Sequence, residues 1–150
     1  PPPRSSSLFG SCPRANTRNG YVTEKQTIER VPCLLVFDCT FDTTGALKLT
    51  DLPPKTIILD SWVDVYQAEA GATDSKVDLR TTDGTTPVTV NTGASDNLGA
   101  TGKKAGTPAP KAPLADDGVD RWLEANVAVT GTASTPAKAR VNVWAMRSAY

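Results

Sequence analysis

VPCLLVFDCTF, residues 31–41, carries an apolar side chain at every odd position: Val31, Cys33, Leu35, Phe37, Cys39 and Phe41. The even positions end in the polar Asp38 and Thr40. Period two is the mark of a strand with one face buried, whereas a helix would repeat its apolar stripe every three to four residues. The alternation recurs along the chain. KVDLRT (76–81) turns Val77 and Leu79 to one side. DRWLEANVAVTG (120–131) does the same with Leu123, Ala125, Val127 and Val129, and ARVNVWAMRSAY (139–150) with Val141, Val143 and Ala145. In KTIILDSWVDVYQ (55–67), Ile57, Leu59, Val63 and Val65 fall on one face. Ile58, Trp62 and Tyr66 fall on the other, beside Asp60 and Asp64.

Turn chemistry separates these runs. Thr43–Gly45 closes one turn, and Leu52-Pro53-Pro54 cannot lie mid-sheet because proline lacks a ladder donor. AEAGATDS (68–75) reads as a loop, Asp83-Gly84 as a hairpin-type turn and TGTASTPAK (130–138) as another turn. YVTEKQTIER (21–30) alternates weakly, as an edge strand would, and PVTVNT (87–92) is a further short strand. Seven or eight short strands without a convincing helix predict an all-β chain, an antiparallel β-sandwich or jelly roll over residues 21–150.

Two segments stand apart. Residues 1–20, PPPRSSSLFGSCPRANTRNG, hold four prolines, four serines and no acidic residue, and Arg4, Arg14 and Arg18 give them a charge of +3. This stretch reads as an extended N-terminal arm whose large apolar anchors are Leu8 and Phe9; it cannot bury enough surface to fold alone. Residues 92–118 form a long Gly/Ala/Pro-rich loop with Lys103, Lys104 and Lys111 as its positive charges. A loop of this length inside a domain is expected to be functional, mobile or ordered by a partner.

Composition removes whole classes of chemistry. The 150 residues carry no net charge and no histidine. The commonest general base and a Ser-His-Asp triad are therefore excluded, and no phosphate-binding glycine loop is present. No apolar run approaches the roughly 18 residues of a membrane-spanning helix. Three arginines without interleaved aromatics, in a chain of zero net charge, argue against nucleic-acid binding. The cysteines, Cys12, Cys33 and Cys39, are odd in number and not spaced as Cys-x-x-Cys. Neither a zinc site nor a disulfide framework is expected, and Cys33 and Cys39 read as buried free thiols suited to a reducing cytosol. Asp60 and Asp64 could act as a glycosidase pair, but solvated strand residues account for them. Asp116, Asp117 and Asp120 lack EF-hand spacing and read as an acidic turn. No catalytic residue, cofactor or metal is expected.

Trp62, Trp122 and Trp144 each fall opposite the regular aliphatic positions of their strands, and Tyr66 joins Trp62. Three readings remain open: both sheet faces buried within one domain, an aromatic patch against another subunit, or a sugar-stacking platform.

The stretch LPPKTIILDSWVDVYQAEAGATDSKVDLRTTDG, with a final strand such as ARVNVWAMRSAY, resembles the small β-sandwich structural proteins of tailed bacteriophages. The resemblance covers roughly residues 50–90 and 120–150; the arm lies outside it, and the loop at 92–118 is longer and richer in Lys, Ala and Pro than the pattern. It implies a non-enzymatic virion protein on the capsid surface, assembled in the host cytoplasm. The form it points to most directly is a capsid decoration (cement) protein that bridges subunits of the major capsid protein, commonly as a homo-trimer. The partner interface would then comprise Arg4, Leu8, Phe9, Arg14 and Arg18 on the arm and Trp62, Tyr66, Trp122 and Trp144 on the domain. A tail, neck or fibre-base component, or a carbohydrate-binding module, are the alternatives.

Overall fold

The structure, a computed structural model, describes residues 17–18, 21–22, 28, 31–41 and 43–148. Among these, every regular element is a β-strand. The two long ones nearest the start of the sandwich are β3 (Cys33–Phe41) and β4 (Gly45–Leu52). They follow a small separate ladder of β1 (Thr17–Arg18) and β2 (Tyr21–Val22). Then come β5 (Thr56–Gln67), β6 (Ala70–Thr82), β7 (Val88–Thr92), β8 (Gly102–Lys104), β9 (Thr107–Pro108), β10 (Arg121–Thr135) and β11 (Ala137–Arg147).

The strands form two antiparallel sheets, ordered β3-β11-β5-β8 and β4-β10-β6-β7-β9. The chain crosses between sheets at β3–β4, β4–β5, β5–β6, β7–β8, β8–β9 and β10–β11. The order nests the first long strand beside the last, which is the double Greek key of a jelly roll. The inward residues are those the alternation selects. Leu35, Phe37, Cys39 and Phe41 meet Val63, Val65, Val77, Leu79, Leu123, Ala125, Val127, Val141, Val143 and Ala145 in one core. Ile28 is buried in the same core, although of the weakly alternating 21–30 segment only Tyr21–Val22 is described as strand.

Three expectations are corrected. Residues 70–75 and 130–135 are strand rather than loop and turn: β6 and β10 extend past the core as a paired ribbon, Asp74 opposite Thr130 and Ala70 opposite Thr135, with bulges at Gly131. Apart from Ser75, which is fully buried, their small polar residues show no apolar alternation because no core lies beneath them. Secondly, Ile57 and Leu59 do not share the face of Val63. Ala145 lies opposite Ile58 but Trp144 lies opposite Asp60, so Leu59 is the extra residue of a β-bulge that reverses the side-chain phase. Ile58 therefore packs on the core, and Ile57, opposite Met146, faces outward.

The third correction concerns Cys33, which is disulfide-bonded. Its 1% exposure matches its strand parity, but it is no thiol, and the expected absence of a disulfide does not hold. Cys39 remains a buried thiol whose Sγ donates to Phe37 O at 3.7 Å. Odd number and irregular spacing were a poor guide because one pair needs no spacing rule.

The 92–118 segment is laid across its own domain. Leu98 is fully buried, and its amide donates to Ser75 O while its carbonyl accepts from Glu69 N. The segment then adds β8 to the edge of one sheet and β9 to the edge of the other. Ala109 N donates to Val90 O, Leu114 N to Thr56 O and Lys55 N to Leu114 O, which closes the open side of the sandwich with an extended strap. Lys55 holds this strap at φ +68°, a left-handed conformation costly for a side chain. Lys55→Gly is expected to raise stability by roughly 0.5 kcal/mol, the strain relieved exceeding the entropy added to the unfolded chain. A urea melt checks the sign; a loss of stability would mean that the lysine stem contributes more than the strain costs.

Candidate functional site

Alternation on β3, β5 and β11 sends one set of side chains out from the β3-β11-β5-β8 sheet, and the registers put them in rows. Asp38, Arg140, Asp64 and Lys103 stand opposite one another in strand order. Val36, Asn142 and Trp62 form the next row, and Leu34, Trp144 and Asp60 the one after. Trp62, Tyr66 and Trp144 thus share one outer face, with Tyr66 and Trp144 49% and 36% exposed. Trp122 sits on the opposite outer face of the molecule, on β10. The four aromatics do not form a single patch.

Each sheet carries the same small device. Trp62 Nε1 donates to Asp64 Oδ2 at 3.3 Å, and Trp122 Nε1 donates to Glu124 Oε1 at 3.2 Å. In a strand, positions i and i+2 share a face, so Trp-x-Asp and Trp-x-Glu bring indole and carboxylate together. A second donor then reaches each carboxylate from the neighbouring strand: Asn142 Nδ2 to Asp64 Oδ2 at 3.1 Å, and Arg80 Nε to Glu124 Oε2. A cation covers each ring. Lys103 Nζ lies 5.0 Å from the Trp62 centroid and Lys48 Nζ 5.2 Å from that of Trp122. Arg140 lies 5.1 Å over Tyr66 while its Nε meets Asp38 at 3.2 Å. These contacts orient the rings and occupy a face of each.

The sequence pattern selects Trp62, Tyr66, Trp122 and Trp144 and sets Asp64 beside Trp62, but misses the partners Glu124, Asn142, Arg140, Lys103 and Lys48. The i, i+2 spacing of Trp62 with Asp64 and of Trp122 with Glu124 was available as a signal. Nothing local marks Lys103, which reaches Trp62 only because β8 joins the edge of β5. Arg4, Leu8, Phe9 and Arg14 lie outside the described residues, and of Arg18 only the backbone, in β1, is described.

Of the acidic candidates, Asp60, Asp64 and Asp117 resolve as structure. Asp60 caps the backbone of Ser61 with a 2.8 Å bond, and Asp64 is held as above. Asp117 accepts two bonds from Arg121, at 2.8 and 2.9 Å, and one from Val119 N at 3.1 Å. The Arg121 guanidinium, then the Val119 amide, hold its carboxyl well below the usual carboxylate range. This turn is closed by its own arginine. Among the described residues no group of three or more Cys, Asp or Glu is placed to hold a metal ion.

These features define a jelly-roll β-sandwich with two unlike outer faces. No family model matches the chain, and no curated protein or solved structure matches it.

Proposed function

We propose that the chain is a non-enzymatic structural protein of a bacteriophage virion, a decoration protein that strengthens the shell by bridging major capsid protein subunits. The observation that carries this reading is the asymmetry of the two outer faces. One carries the half-buried Leu34, Ile57 and Met146 beside the exposed Trp144 and Tyr66, where an antiparallel sheet of a lone domain would be polar. The jelly roll itself is a recurrent architecture of capsid proteins and lectins, so it is compatible with the reading without deciding it. Against a lectin-like role, the ring faces of Trp62 and Tyr66 that a sugar would stack on carry Lys103 and Arg140.

In this reading residues 1–20 supply the shell contact, with Arg4, Arg14 and Arg18 pairing with acidic groups and Leu8 and Phe9 filling small pockets. Several weak contacts repeated over a lattice offset the cost of ordering an arm. Deleting residues 1–20, which also removes Cys12 and β1, is expected to abolish retention on purified capsids, and circular dichroism checks that the sandwich stays folded without them. Unchanged occupancy sinks the arm-anchor model. A full-length protein found only at the tail or neck, in few copies per particle, replaces decoration with the tail-component reading.

A further inference from the structure

We infer that one end of the sandwich is a self-association site: Val119 of each copy enters the cleft beside Val88 of the other, and a two-fold axis relates the two contacts. The inference does not depend on the virion reading.

The cleft lies between β5 of one sheet and β7 of the other, where the 92–118 segment crosses between them. Ile58, Leu59, Val88, Val90, Pro108 and Pro110 give it a mainly apolar lining, and its volume is about 100 Å³. That is several times the space one ordered water needs, and it suits one branched aliphatic side chain. The strap does not fill it. Its backbone bonds fall at the two ends, Ala109 N to Val90 O and Leu114 N to Thr56 O, and Pro110 and Pro113 between them have no amide to give. At the rim, Val88 is 59% exposed, more than any other large apolar side chain among the described residues.

The same chain offers the occupant. Val119 is 47% exposed in the turn that precedes β10. A lone exposed valine is ordinary, but this one is firmly mounted. Asp117 accepts from the Val119 amide at 3.1 Å and from two Arg121 nitrogens at 2.8 and 2.9 Å. The turn is therefore ordered before any partner arrives, and association loses little freedom there. Val119 does not line the cleft of its own molecule. The ladder nevertheless sets both features at one end of one sheet. Leu123 stands opposite Thr81, and Thr81 opposite Val88, so Val88 is level with the start of β10. Two strand spacings, about 10 Å, separate β10 from β7. A projecting side chain and a cleft this close together are both satisfied by one partner copy across a two-fold axis, and the pair closes at two.

Charge favours the same pairing. Lys111 stands in the cleft lining, and Asp116 and Asp120 flank the Val119 turn. All three are exposed, and among the described residues none of them forms an ion pair. Asp60 is the acidic residue of the lining, and it already accepts from Ser61 N. Turn against cleft brings opposite charges together. Turn against turn, or cleft against cleft, would bring like charges together.

The contact is small, below the size of stable interfaces, so the expected dissociation constant is on the order of 100 µM. Sedimentation equilibrium of the full chain from about 20 µM to about 1 mM should show the mass rise from 15.8 kDa toward twice that value. Backbone amide shifts should move with concentration at residues 88–90, 109–114 and 116–121. Val119→Asp and Lys111→Glu are each expected to weaken the dimer about 10-fold or more. Both positions are exposed, and circular dichroism confirms that the variants are folded. The double variant Asp116→Lys, Asp120→Lys is expected to weaken it as much. Mixed with Lys111→Glu, it regains both contacts, one in the parent sense and one with the signs exchanged, and the two are expected to pair as tightly as the parent. A mass fixed at 15.8 kDa up to about 1 mM overturns the inference. A trimer overturns the two-fold exchange. A dimer indifferent to Val119→Asp overturns the site, and folded variants that fail to pair on mixing overturn the charge register.

Discussion

Arg80→Met is expected to cost the fold about 3 kcal/mol or more and to lower the melting temperature by roughly 6–12 °C for a domain of this size. The reason lies in Glu124. Its place on β10 turns it away from the apolar core, yet it is only 6% exposed, because Trp122, Lys48 and Arg80 crowd around it. A carboxylate so far out of water needs donors on its oxygens. Trp122 Nε1 supplies one to Oε1 and Arg80 Nε one to Oε2. Lys48 stands opposite Glu124 in the ladder but is committed elsewhere, to Asp51 at 2.7 Å and to the ring of Trp122. Taking away the guanidinium leaves a buried negative charge with one neutral donor. Methionine fills most of the arginine stem's volume, so little of the loss is packing. The double variant Arg80→Met, Glu124→Gln removes the charge along with its partner and is expected to recover most of the stability. Urea melts of the two single variants, the double variant and the parent decide it. Equal destabilisation of the Arg80→Met single and the double would show that lost packing, not an orphaned charge, sets the cost.

Where the chain alternates over a buried face, the sequence is legible residue by residue. Leu35, Phe37, Val77, Leu79, Leu123, Val127, Val141 and Val143 are inside, and their parity says so. Legibility ends where burial is not the organising force. The bulge at Leu59 inverts the phase of its strand, and no propensity marks it, because the extra residue is set by the register of β5 on β11. The ribbon of 70–75 on 130–135 is held by backbone ladder bonds between small polar residues, which read as loop when met singly. The 92–118 segment looks unstructured because its order comes from distant groups, such as Ser75 and Glu69 on Leu98. The same rule governs the surface. Tryptophans opposite the aliphatic positions announce an outer aromatic face, but the row Asp38, Arg140, Asp64, Lys103 gathers residues from four strands and exists only once the sheet order is known.

Asn91→Leu is expected to cost about 2–4 kcal/mol, and to loosen one part of the molecule before the rest. Asn91 ends the regular pairing of β7 in one sheet, and its side chain is 5% exposed. It crosses the sandwich to β5 of the other sheet, where Ser61 takes an inward core position with a polar side chain. Nδ2 donates to Ser61 O at 3.1 Å and lies 3.0 Å from Ser61 Oγ. It also donates to Ala105 O at 2.9 Å, on the link that carries the chain from β8 to β9. The approach is close enough to dictate the link's sequence. Gly106 sits at φ +64°, and a Cβ there would come 2.0 Å from Asn91 Oδ1 and 2.9 Å from Thr92 O. Leucine keeps the volume of asparagine's site filled but leaves these oxygens facing a methyl group, and buried acceptors without donors carry the full desolvation cost. β8 has three residues and β9 two, too few ladder bonds to hold their edges alone. Amide exchange at residues 102–107 should therefore accelerate by far more than exchange in the β6–β10 ladder, to which the Asn91 side chain makes no hydrogen bond. Gly106→Ala should produce the same local pattern through the clash, and the two changes combined should cost less than their sum because both break one contact. Uniform acceleration across both sheets would mean that Asn91 supports the whole fold rather than this crossing, and unchanged exchange at 102–107 would remove it as the clasp.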